Sequence, residues 1–520
     1  MLKADYYTQP NELDQLMFEK LVPAEHYLRK VKAVIDFESM RALVADCYSA
    51  DMGRGAEDPV LMIKLGFLQF HYGLSDREVL QDAQVNVAFR LFLDLSLDSR
   101  LPSVGLLSQF RTGLGSERYQ ALFDAVVGQA RERGLVKDRL RLKDATHVIA
   151  NIAVPSAIRL VAQMRARLLS SAELYAPEKV AVETERAAEI RQATADLNNE
   201  ERLLHRVAHL RELVTWAEDL QQNLNATDVA TDEPRQRFDD ALALAVKVLA
   251  QSEDPEVPDK IVSLVDPDAR RGRHGRFYKG YQLDVSLDAD SEIITAVDAP
   301  PANADEAANA EVLVQREEAA QGNDVQAISM DSIGFRGSVL RTLQDPEGLG
   351  LTVYVPPQEW NSSSGPYFTP EHFQLVDEGR VCICPAEEET RTRNRNRHDT
   401  GWKFYFPPSV CVACPLMAQC MQALPAKSGR CVGMNDFTAE YRAARVLAQT
   451  EAYAQVRKEH PKIERKLAEI IRYHGGRRTR FRGQWRVTIQ YLLTALVVNV
   501  KRIVKLLSPD TASRPMTATI

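Results

Sequence analysis

Two apolar segments of this chain have the composition of buried strands, and each of them carries an aspartate. Asp144 interrupts the segment from Leu140 to Val148, and Asp331 closes a second, shorter segment. A third acid, Glu464, lies near the start of a basic amphipathic segment with helical periodicity. Hard divalent cations take oxygen ligands, and the phosphates of a polyanion supply further oxygens. Carboxylates in these positions, beside arginines, therefore favour magnesium-dependent chemistry on a polyanion.

The residues around the three acids resemble those of a known family. The segment from Asp144 to Asn151 resembles the first-aspartate segment of the DDE transposases of bacterial insertion sequences. The segment from Asp331 to Phe335 resembles their second-aspartate segment, and Ile463 to Lys466 resembles the start of the helix that carries their glutamate. The resemblance extends over almost the whole chain, and the order of these segments is more specific than any single one.

The resemblance implies an α/β protein with a ribonuclease-H-like core that cleaves and joins DNA. Asp144 would contact two Mg²⁺ ions, with Mn²⁺ as an alternative, while Asp331 and Glu464 would each hold one of them. The implied partners are double-stranded DNA, as transposon ends and as target, and further copies of the chain in a homodimer or larger complex. Two alternatives stay open: a magnesium-dependent DNA nuclease without joining activity, and a non-catalytic, zinc-containing DNA-binding protein.

Other acids compete for the metal-binding roles. Glu469 follows Glu464 on the same predicted helix, but the glutamate segment of the family begins with an apolar residue, Glu and a basic residue, which matches Glu464. Asp284, Asp266 and Asp268 compete with Asp331. The last two lie in a basic loop that resembles a non-catalytic motif of the family. We therefore expect Asp144, Asp331 and Glu464 to be the catalytic residues.

Charge is distributed unevenly along the chain. The 520 residues carry a net charge of −7, yet residues 455 to 507 contain 14 Lys or Arg and 3 Glu. Because DNA binding depends on the local phosphate footprint, an acidic whole does not exclude it. We expect DNA contacts in this region and at one N-terminal arginine, namely Arg111, Lys462, Arg465, Lys466, Arg472, Arg477, Arg478, Arg480 and Arg482. With no long apolar run, we expect a cytoplasmic protein that lacks a membrane span.

The N-terminal region has helical signals. An apolar segment that starts at Pro59 ends at Gly73, and Ser75 and Glu78 then have the spacing of a capping box. Helix, short turn and capped helix together resemble a helix-turn-helix, a motif that is also common in purely structural bundles. The arginine in Ser108-Gln109-Phe110-Arg111 matches a helix of the family, which is why Arg111 is among the predicted DNA contacts.

The middle of the chain alternates between helical and strand patterns. Leu203 to Leu224 carries a heptad seam, which predicts a helical hairpin that packs within the chain or against a second copy, with its turn at residues 225 to 234. Tyr281 to Leu287 alternates between apolar and polar residues and predicts a half-buried strand. We expect the domains to be 1–130 (helical, DNA-binding), 131–155, 256–356 and 436–508 (catalytic core), 156–255 (helical hairpin), 357–435 (Cys-rich insert) and 509–520 (disordered tail).

Six of the seven cysteines lie between residues 382 and 431. Four of them match a cysteine pattern of related transposases, and in a cytoplasmic protein they suit a structural zinc better than disulfides. This predicted zinc set is Cys384, Cys411, Cys414 and Cys420. Cys382 and Cys431 fall outside the pattern and are interpreted as ordinary buried thiols, and Cys47 is expected in the core.

Two further side chains have alternative roles. His147 follows Asp144 on the same predicted strand, and we interpret it as structural because it points to the face opposite Thr146. Trp485 lies among the C-terminal arginines. It either stacks on a DNA base or packs against the final apolar helix.

Overall fold

A mixed six-stranded sheet with helices on both faces forms the centre of the protein. The computed structural model describes residues 10–48, 55–226, 232–358, 367–396, 401–422 and 429–508. Half of the predicted hairpin turn, residues 227–231, and the whole of the predicted tail, residues 509–520, lie outside these ranges.

Helices form the N-terminal region. They are α1 (Glu12–Leu21), α2 (Tyr27–Val34), α3 (Arg41–Val44), α4 (Pro59–Tyr72), α5 (Asp76–Val85), α6 (Val87–Leu93) and α7 (Val104–Glu132), with 3₁₀ turns on either side of α3. Gly73 ends α4 with a φ of +73°, a conformation that favours glycine. Ser75 and Glu78 form the predicted capping box, in which each side chain accepts a hydrogen bond from the backbone of the other residue. The predicted end of α4 at Gly73 and the predicted capping box at the start of α5 are confirmed.

The central sheet contains β1 (Arg141–Ile149), β2 (Arg270–His274), β3 (Arg276–Asp288), β4 (Ile294–Asp298), β5 (Ala327–Ser329) and β6 (Thr352–Tyr354). Strand β1 is central, antiparallel to β3 and parallel to β5. Strand β6 lies parallel to the far side of β5. Along its length, β3 pairs first with β2 and then with β4, both antiparallel. A strand in this central position is covered on both faces.

Helices cover both faces of the sheet. Helix α12 (Asn309–Gln321) lies over the face to which Arg141 and Lys143 point. The helices α18 (Pro461–Tyr473) and α19 (Gln484–Leu507) lie over the other face, where Leu142 and Val148 are buried in the main core. This covering explains why the prediction of a half-buried β3 was wrong: its polar residues Asp284 and Ser286 are fully buried under α12.

Helix α19 joins the two ends of the chain in one core. It packs against α2, α4 and α7 as well as against β4, and its residues from Ile489 to Val500 are all buried. By length and composition α19 is able to cross a membrane, but 83% of its most apolar window is buried inside the protein. It is therefore a core helix that links the N-terminal helices to the sheet.

A separate bundle lies between β1 and β2. It consists of α8 (Ala157–Ala172), α9 (Pro177–Ala193), α10 (Asn199–Ala226) and α11 (Glu233–Glu253), so it has four helices instead of the predicted two. The heptad residues Val207, Leu210 and Val214 are buried against α8 and α11 in a core of their own. Of the two alternatives, the seam therefore packs within the chain.

The cysteine-bearing region follows α13 (Gly337–Gln344) and β6. It contains two three-stranded sheets and two short helices: β7 (Gln374–Val376), β8 (Val381–Ile383), β9 (Glu389–Thr390), β10 (Arg393–Arg395), β11 (Gly401–Tyr405), β12 (Cys431–Asn435), α14 (Pro408–Ala413) and α15 (Met417–Cys420). The chain then returns to the main sheet through α16 (Thr438–Ala448) and α17 (Glu451–Glu459), which precede α18. The mixed α/β composition and the helical N-terminal region agree with the prediction.

A buried ion pair fixes α12 on the sheet. The guanidinium Nε of Arg141 donates to Glu317 at 2.9 Å and 3.1 Å, and Nη1 lies 3.3 Å from Asp288. Each of the three side chains is at most 1% exposed. A buried ion pair is not stabilising by itself, but removal of one partner leaves an uncompensated charge in the core.

Glu317→Ala should therefore lower the free energy of unfolding by roughly 3–5 kcal/mol, as measured by urea denaturation. Glu311→Ala is the matched control on the same helix, because Glu311 is only half-buried and accepts a hydrogen bond from Gln315 alone. This control should change the free energy of unfolding by less than about 0.5 kcal/mol. Equal losses in the two variants would contradict a special role for the ion pair.

Candidate active site

Asp144 lies in the middle of β1 and faces α18. Along this strand the side chains alternate between faces, so Asp144 shares its face with Leu142 and Thr146. Its Oδ1 accepts a hydrogen bond from the backbone N–H of Ala145 at 2.8 Å. The side chain is partly buried, between strand neighbours that are fully buried.

Asp331 lies beside Asp144 because of the parallel register. Leu142 pairs with Ser329, the last residue of β5, and Asp144 and Asp331 each follow two residues later in the chain. Asp331 also begins a 3₁₀ turn, Ser332–Gly334, and accepts a hydrogen bond from the N–H of Ile333 at 3.0 Å. The two aspartates therefore lie beside each other, just beyond the C-terminal end of β5.

Glu464 comes from the first turn of α18. Ile463, Leu467 and Ile470 bury one side of this helix in the main core, at the spacing expected for a helix face. Glu464 lies at the edge of that face and is exposed. This packing leaves the carboxylate of Glu464 on the side of the sheet where Asp144 points.

The electrostatics of Asp144 connect the three acids. Burial, together with the nearby carboxylates of Asp331 and Glu464, raises the pKa of Asp144 to about 6. A fourth carboxylate, Glu306, lies close by: burial and the charges of Asp284, Asp331 and Asp144 raise the pKa of Glu306 to about 7. Such mutual repulsion is relieved when a cation binds.

The acids are near one another without forming a complete ligand set. In the described ranges, no group of three or more His, Cys, Asp or Glu side chains has the arrangement needed to hold a metal ion. Neither the three acids nor the four cysteines of the predicted zinc set form such a group in these ranges.

The rival aspartates have structural partners. Asp266 is fully buried and accepts hydrogen bonds from the hydroxyl of Tyr281 at 2.6 Å and the N–H of Gly483 at 3.1 Å. Asp268 accepts from the backbone N–H at the start of α19 at 2.9 Å. Asp284 lies on the α12 face, 2.9 Å from the ammonium group of Lys143. The carboxylates of all three rival aspartates are therefore bound by other groups of the protein.

Glu469, the rival of Glu464, is held in two ion pairs. Its carboxylate oxygens lie 3.1 Å from the ammonium group of Lys466 and 3.1 Å from that of Lys501. These cations outweigh the effect of burial and lower the pKa of Glu469. Glu464 has no ion pair with any described residue. Of the two glutamates, Glu464 therefore has the carboxylate that is open to a ligand.

The predicted DNA-contacting cations divide into two groups. Exposed side chains belong to Arg465, Arg472, Arg478 and Arg482. The others hold parts of the protein together. Lys466 is 5% exposed and pairs with Glu469, and Lys462 donates to Glu459 at 2.9 Å and to the backbone carbonyl of Ala289 at 2.6 Å.

Three arginines of the inward group brace the strand and the N-terminal helices. Arg477 donates to Thr146 at 3.2 Å and to the backbone carbonyl of His147, just beyond Asp144. Arg480 donates to the carbonyl of Leu74 at 3.0 Å. Arg111 pairs with Asp76. The basic segment after α18 therefore contains arginines that make contacts within the fold as well as exposed arginines.

Arginines and one tryptophan line an open cavity between α7 and the start of α19. Its volume is about 300 Å³, and its lining includes Arg111, Arg480, Arg482, Trp485 and Arg486. The Trp485 side chain is 37% exposed, and Arg486 lies over its ring at 4.6 Å.

His147 packs among aromatic rings on the other face of β1. Its ring centroid lies 4.9 Å from that of His274 and 5.2 Å from that of Tyr278. Burial, with the charge of Arg477 nearby, lowers the pKa of His147 to about 4. The packing agrees with the structural role that the sequence suggested.

Some residues near the site were missed by sequence reasoning. Arg457 donates to the carbonyl of Met330 at 2.9 Å, and His460 lies 3.1 Å from the hydroxyl of Ser329. Both belong to the α17–α18 junction and hold the chain directly before Asp331. Glu306 was missed as well, because it lies in an irregular segment without periodicity. Of these three residues, only Arg457 had a local sequence signal, as a basic residue in a helix that faces β5.

The four cysteines of the predicted zinc set line one small cavity of about 30 Å³. Burial raises the pKa of Cys420, and the neighbouring thiols of Cys411, Cys384 and Cys414 act in the same direction. Cys382 is buried, as expected. The prediction for Cys47 is wrong: this residue is exposed, because it lies in a 3₁₀ turn at the surface of the N-terminal helices.

Glu469→Gln should destabilise the protein, because it removes the negative charge that compensates the buried ammonium group of Lys466. The pKa of Glu469 is lowered in the folded state, so its contribution is present at neutral pH and disappears as the pH falls through that pKa. Glu464→Gln should leave the melting temperature nearly unchanged, because its carboxylate is exposed. Thermal unfolding at pH 7 and at pH 4 measures both effects. A larger loss for Glu464→Gln would contradict these assignments.

Two segments of the chain match models of known protein families. Residues 16–113 match a family described as a transposase domain (DUF772). Residues 383–504, which include the zinc-set cysteines and Glu464, match a family described as a transposase DDE domain. Asp144 and Asp331 lie outside both matches. No solved structure matches the chain. With both transposase segments in one chain, the protein is a DDE transposase of an insertion sequence, an enzyme of metal-dependent DNA phosphoryl transfer.

Proposed function

We propose that this enzyme binds the terminal inverted repeats of its insertion sequence, cleaves the DNA there and joins the ends to target DNA. The observation that carries the proposal is the position of Asp144. It lies in the middle of the central strand, and its pKa is raised by burial and by Asp331 and Glu464. These three acids are the proposed catalytic residues, because Asp331 and Glu464 both lie near Asp144. By contrast, the rivals Asp284 and Glu469 are held in ion pairs.

The strand order supports a ribonuclease-H-like core. Three antiparallel strands, β4, β3 and β1, are followed by β5 and β6, which run parallel to β1. In such a sheet the ends of the parallel strands and a late helix provide one site. Here that helix is α18. The late position of Glu464 in the chain, beyond two insertions, is consistent with this arrangement.

The donor set suits Mg²⁺, or Mn²⁺ in its place. Three carboxylates that repel one another provide oxygen ligands and a net negative charge, which hard divalent cations prefer. Asp144 would contact two ions, and Asp331 and Glu464 one each. When bound, the two ions would activate the attacking oxygen and stabilise the leaving oxygen of the scissile phosphate. Arg457 and His460 hold Asp331 in place through their contacts with the end of β5.

The surface beside the acids supplies positive charge for the DNA backbone. Arg465 and Arg472 lie on the same helix as Glu464 and are exposed, and so are Arg478 and Arg482 in the segment after it. None of these four side chains has an ion pair with another described residue. We propose that they contact phosphates of the bound ends, whereas Lys466 and Arg477 act within the fold.

Substitution of the three acids tests the proposed reaction. Asp144→Asn, Asp331→Asn and Glu464→Gln should each reduce Mg²⁺-dependent cleavage of the transposon ends by roughly a thousandfold or more, because several kcal/mol of metal-assisted stabilisation is lost. Binding of the uncut ends in EDTA should remain, because the basic surface is unchanged. The assay is gel analysis of the 3′ products on labelled ends.

Glu469→Gln is the control for the cleavage assay and should remain active. A fully active Glu464→Gln together with an inactive Glu469→Gln would overturn the assignment of the third acid.

Inclusion of a target plasmid in the assay distinguishes transposition from nuclease activity. Joined products support transposition, whereas free 3′ ends without joined products would identify a nuclease.

We propose further that Cys384, Cys411, Cys414 and Cys420 hold one structural zinc. The four thiols line a single cavity, and four thiolates close the tetrahedral sphere that a structural zinc adopts. The metal would brace the cysteine-bearing region, where the backbone N–H of Arg430 already donates to Cys411 Sγ at 3.3 Å. Residues 357–435 would then form a metal-stabilised insert between two parts of the catalytic core.

Cys411→Ser and Cys414→Ser should each lower the melting temperature and the zinc content, because the binding free energy of a structural metal is part of the folding free energy. Cys431→Ser is the control, since Cys431 lies on β12 outside the cavity lining, and it should do little. Elemental analysis of protein prepared without a metal-affinity tag measures the metal. A zinc content far below one per chain in the unaltered protein would overturn the site.

The remaining organisation is also proposed on these grounds. Residues 1–130 would contact the ends together with the basic segment after α18, since Arg111 and Arg482 line one cavity. The core would consist of residues 131–155, 256–356 and 436–508, interrupted by the bundle 156–255. A homodimer or larger complex would bring the two ends together.

A further inference from the structure

The hairpin formed by β2 and β3 turns at Gly275 and is strongly basic. Its exposed residues include Arg271, Arg273 and Arg276, and Lys279 is partly exposed. Between residues 270 and 279 the sequence contains no acidic residue. The rival aspartates Asp266 and Asp268 precede the hairpin, so they do not lie within this basic segment.

These four cations have no compensation within the protein. None of them has an ion pair or a side-chain hydrogen bond with another described residue, whereas Arg270 at the base of the hairpin pairs with Asp259. Arg271 and Lys279 are direct cross-strand neighbours. Like charges in that position destabilise a β-ribbon. The arrangement is costly for the free protein and suits an anionic partner.

An exposed aromatic side chain lies among the cations. Phe277 is 63% exposed, and the guanidinium of Arg271 lies 3.9 Å from its ring centroid. Arg273 lies 5.7 Å from the same centroid. Cations that bind phosphates and an aromatic ring that contacts bases or sugars are the two components of nucleic-acid recognition.

The hairpin begins beside the three acids. The last pair between β1 and β3 is Ile149 with Gly280, so residues 276–279 extend beyond the end of β1. His147, three residues after Asp144, contacts His274 and Tyr278 of the hairpin. At roughly 3.3 Å per residue, this contact is about 10 Å along the strand from Asp144.

We propose that the β2–β3 hairpin is an arm that binds duplex DNA next to the cleavage site. Arg271, Arg273, Arg276 and Lys279 contact phosphates, and Phe277 contacts base or sugar edges. The major groove is wide enough to admit such a two-stranded ribbon. The choice of DNA as partner rests on the proposed function, but the test below measures binding without cleavage.

Binding is measured in EDTA over a salt series, with the full-length enzyme and two labelled duplexes, one a transposon end and one of scrambled sequence. The triple variant Arg271→Gln, Arg273→Gln, Arg276→Gln should lower the log–log salt slope by up to about 2.7, which is 0.9 per lost phosphate contact. Both duplexes should be affected alike, because phosphate contacts carry no sequence information.

The control variant removes the same charge from the helical bundle, through Arg191→Gln, Arg237→Gln and Lys247→Gln, all exposed positions. Its slope should stay close to that of the unaltered protein. An unchanged slope in the hairpin variant, or an equal decrease in the control, overturns the proposal.

Substitution of Phe277 tests the uncharged part of the contact. Phe277→Ala should weaken binding roughly tenfold with no change in salt slope, and Phe277→Tyr should retain the affinity because an aromatic ring remains. Full affinity of Phe277→Ala overturns the role of the ring. Absence of cleavage by the unaltered enzyme would refute the proposed function alone, since these slopes do not depend on cutting.

Discussion

Strand β1 carries charge on both of its faces, and the rest of the protein is arranged around that fact. On one face Arg141 and Lys143 are buried, and α12 and β3 provide Glu317 and Asp284 as partners. On the other face Asp144 meets further carboxylates. Buried ions are tolerated only with good partners, so the docking of α12 is a condition for the strand to occupy the centre. The strand that presents Asp144 is thereby held by ion pairs on its opposite face.

The basic segment after α18 has two uses that its composition does not separate. Arg477 and Arg480 turn inwards, to the end of β1 and to the N-terminal helices. Arg478 and Arg482 are exposed, although Arg482 also donates a hydrogen bond to the backbone carbonyl of Asn151 at 3.0 Å. A change of the whole cluster would therefore alter stability together with the proposed DNA binding. Single substitutions at the outward positions separate the two effects.

Much of the fold followed from local sequence signals. The capping box at Ser75, the strand at Asp144 and the helix at Glu464 were predicted correctly, because caps, apolar runs and amphipathic periods are local. The burial of Asp284 was not predictable, since alternation on a strand does not reveal that a distant helix covers its polar face. For the same reason composition identified the basic helix of Arg465 and Lys466 without showing which of the two turns inwards. Glu306 lies in an irregular segment, so no periodic pattern in the sequence pointed to it.

Helix α19 packs against α4 and α7, which are more than 350 residues earlier in the chain. At a synthesis rate of about 5–20 residues per second, α19 is made on the order of tens of seconds after α4 and α7. The apolar faces of these two helices are not covered by α19 during that time. A product that stops before α19 leaves them uncovered and prone to aggregation. The core that contains α4, α7 and α19 therefore forms only after α19 has been synthesised, and chains that stop before α19 do not form it.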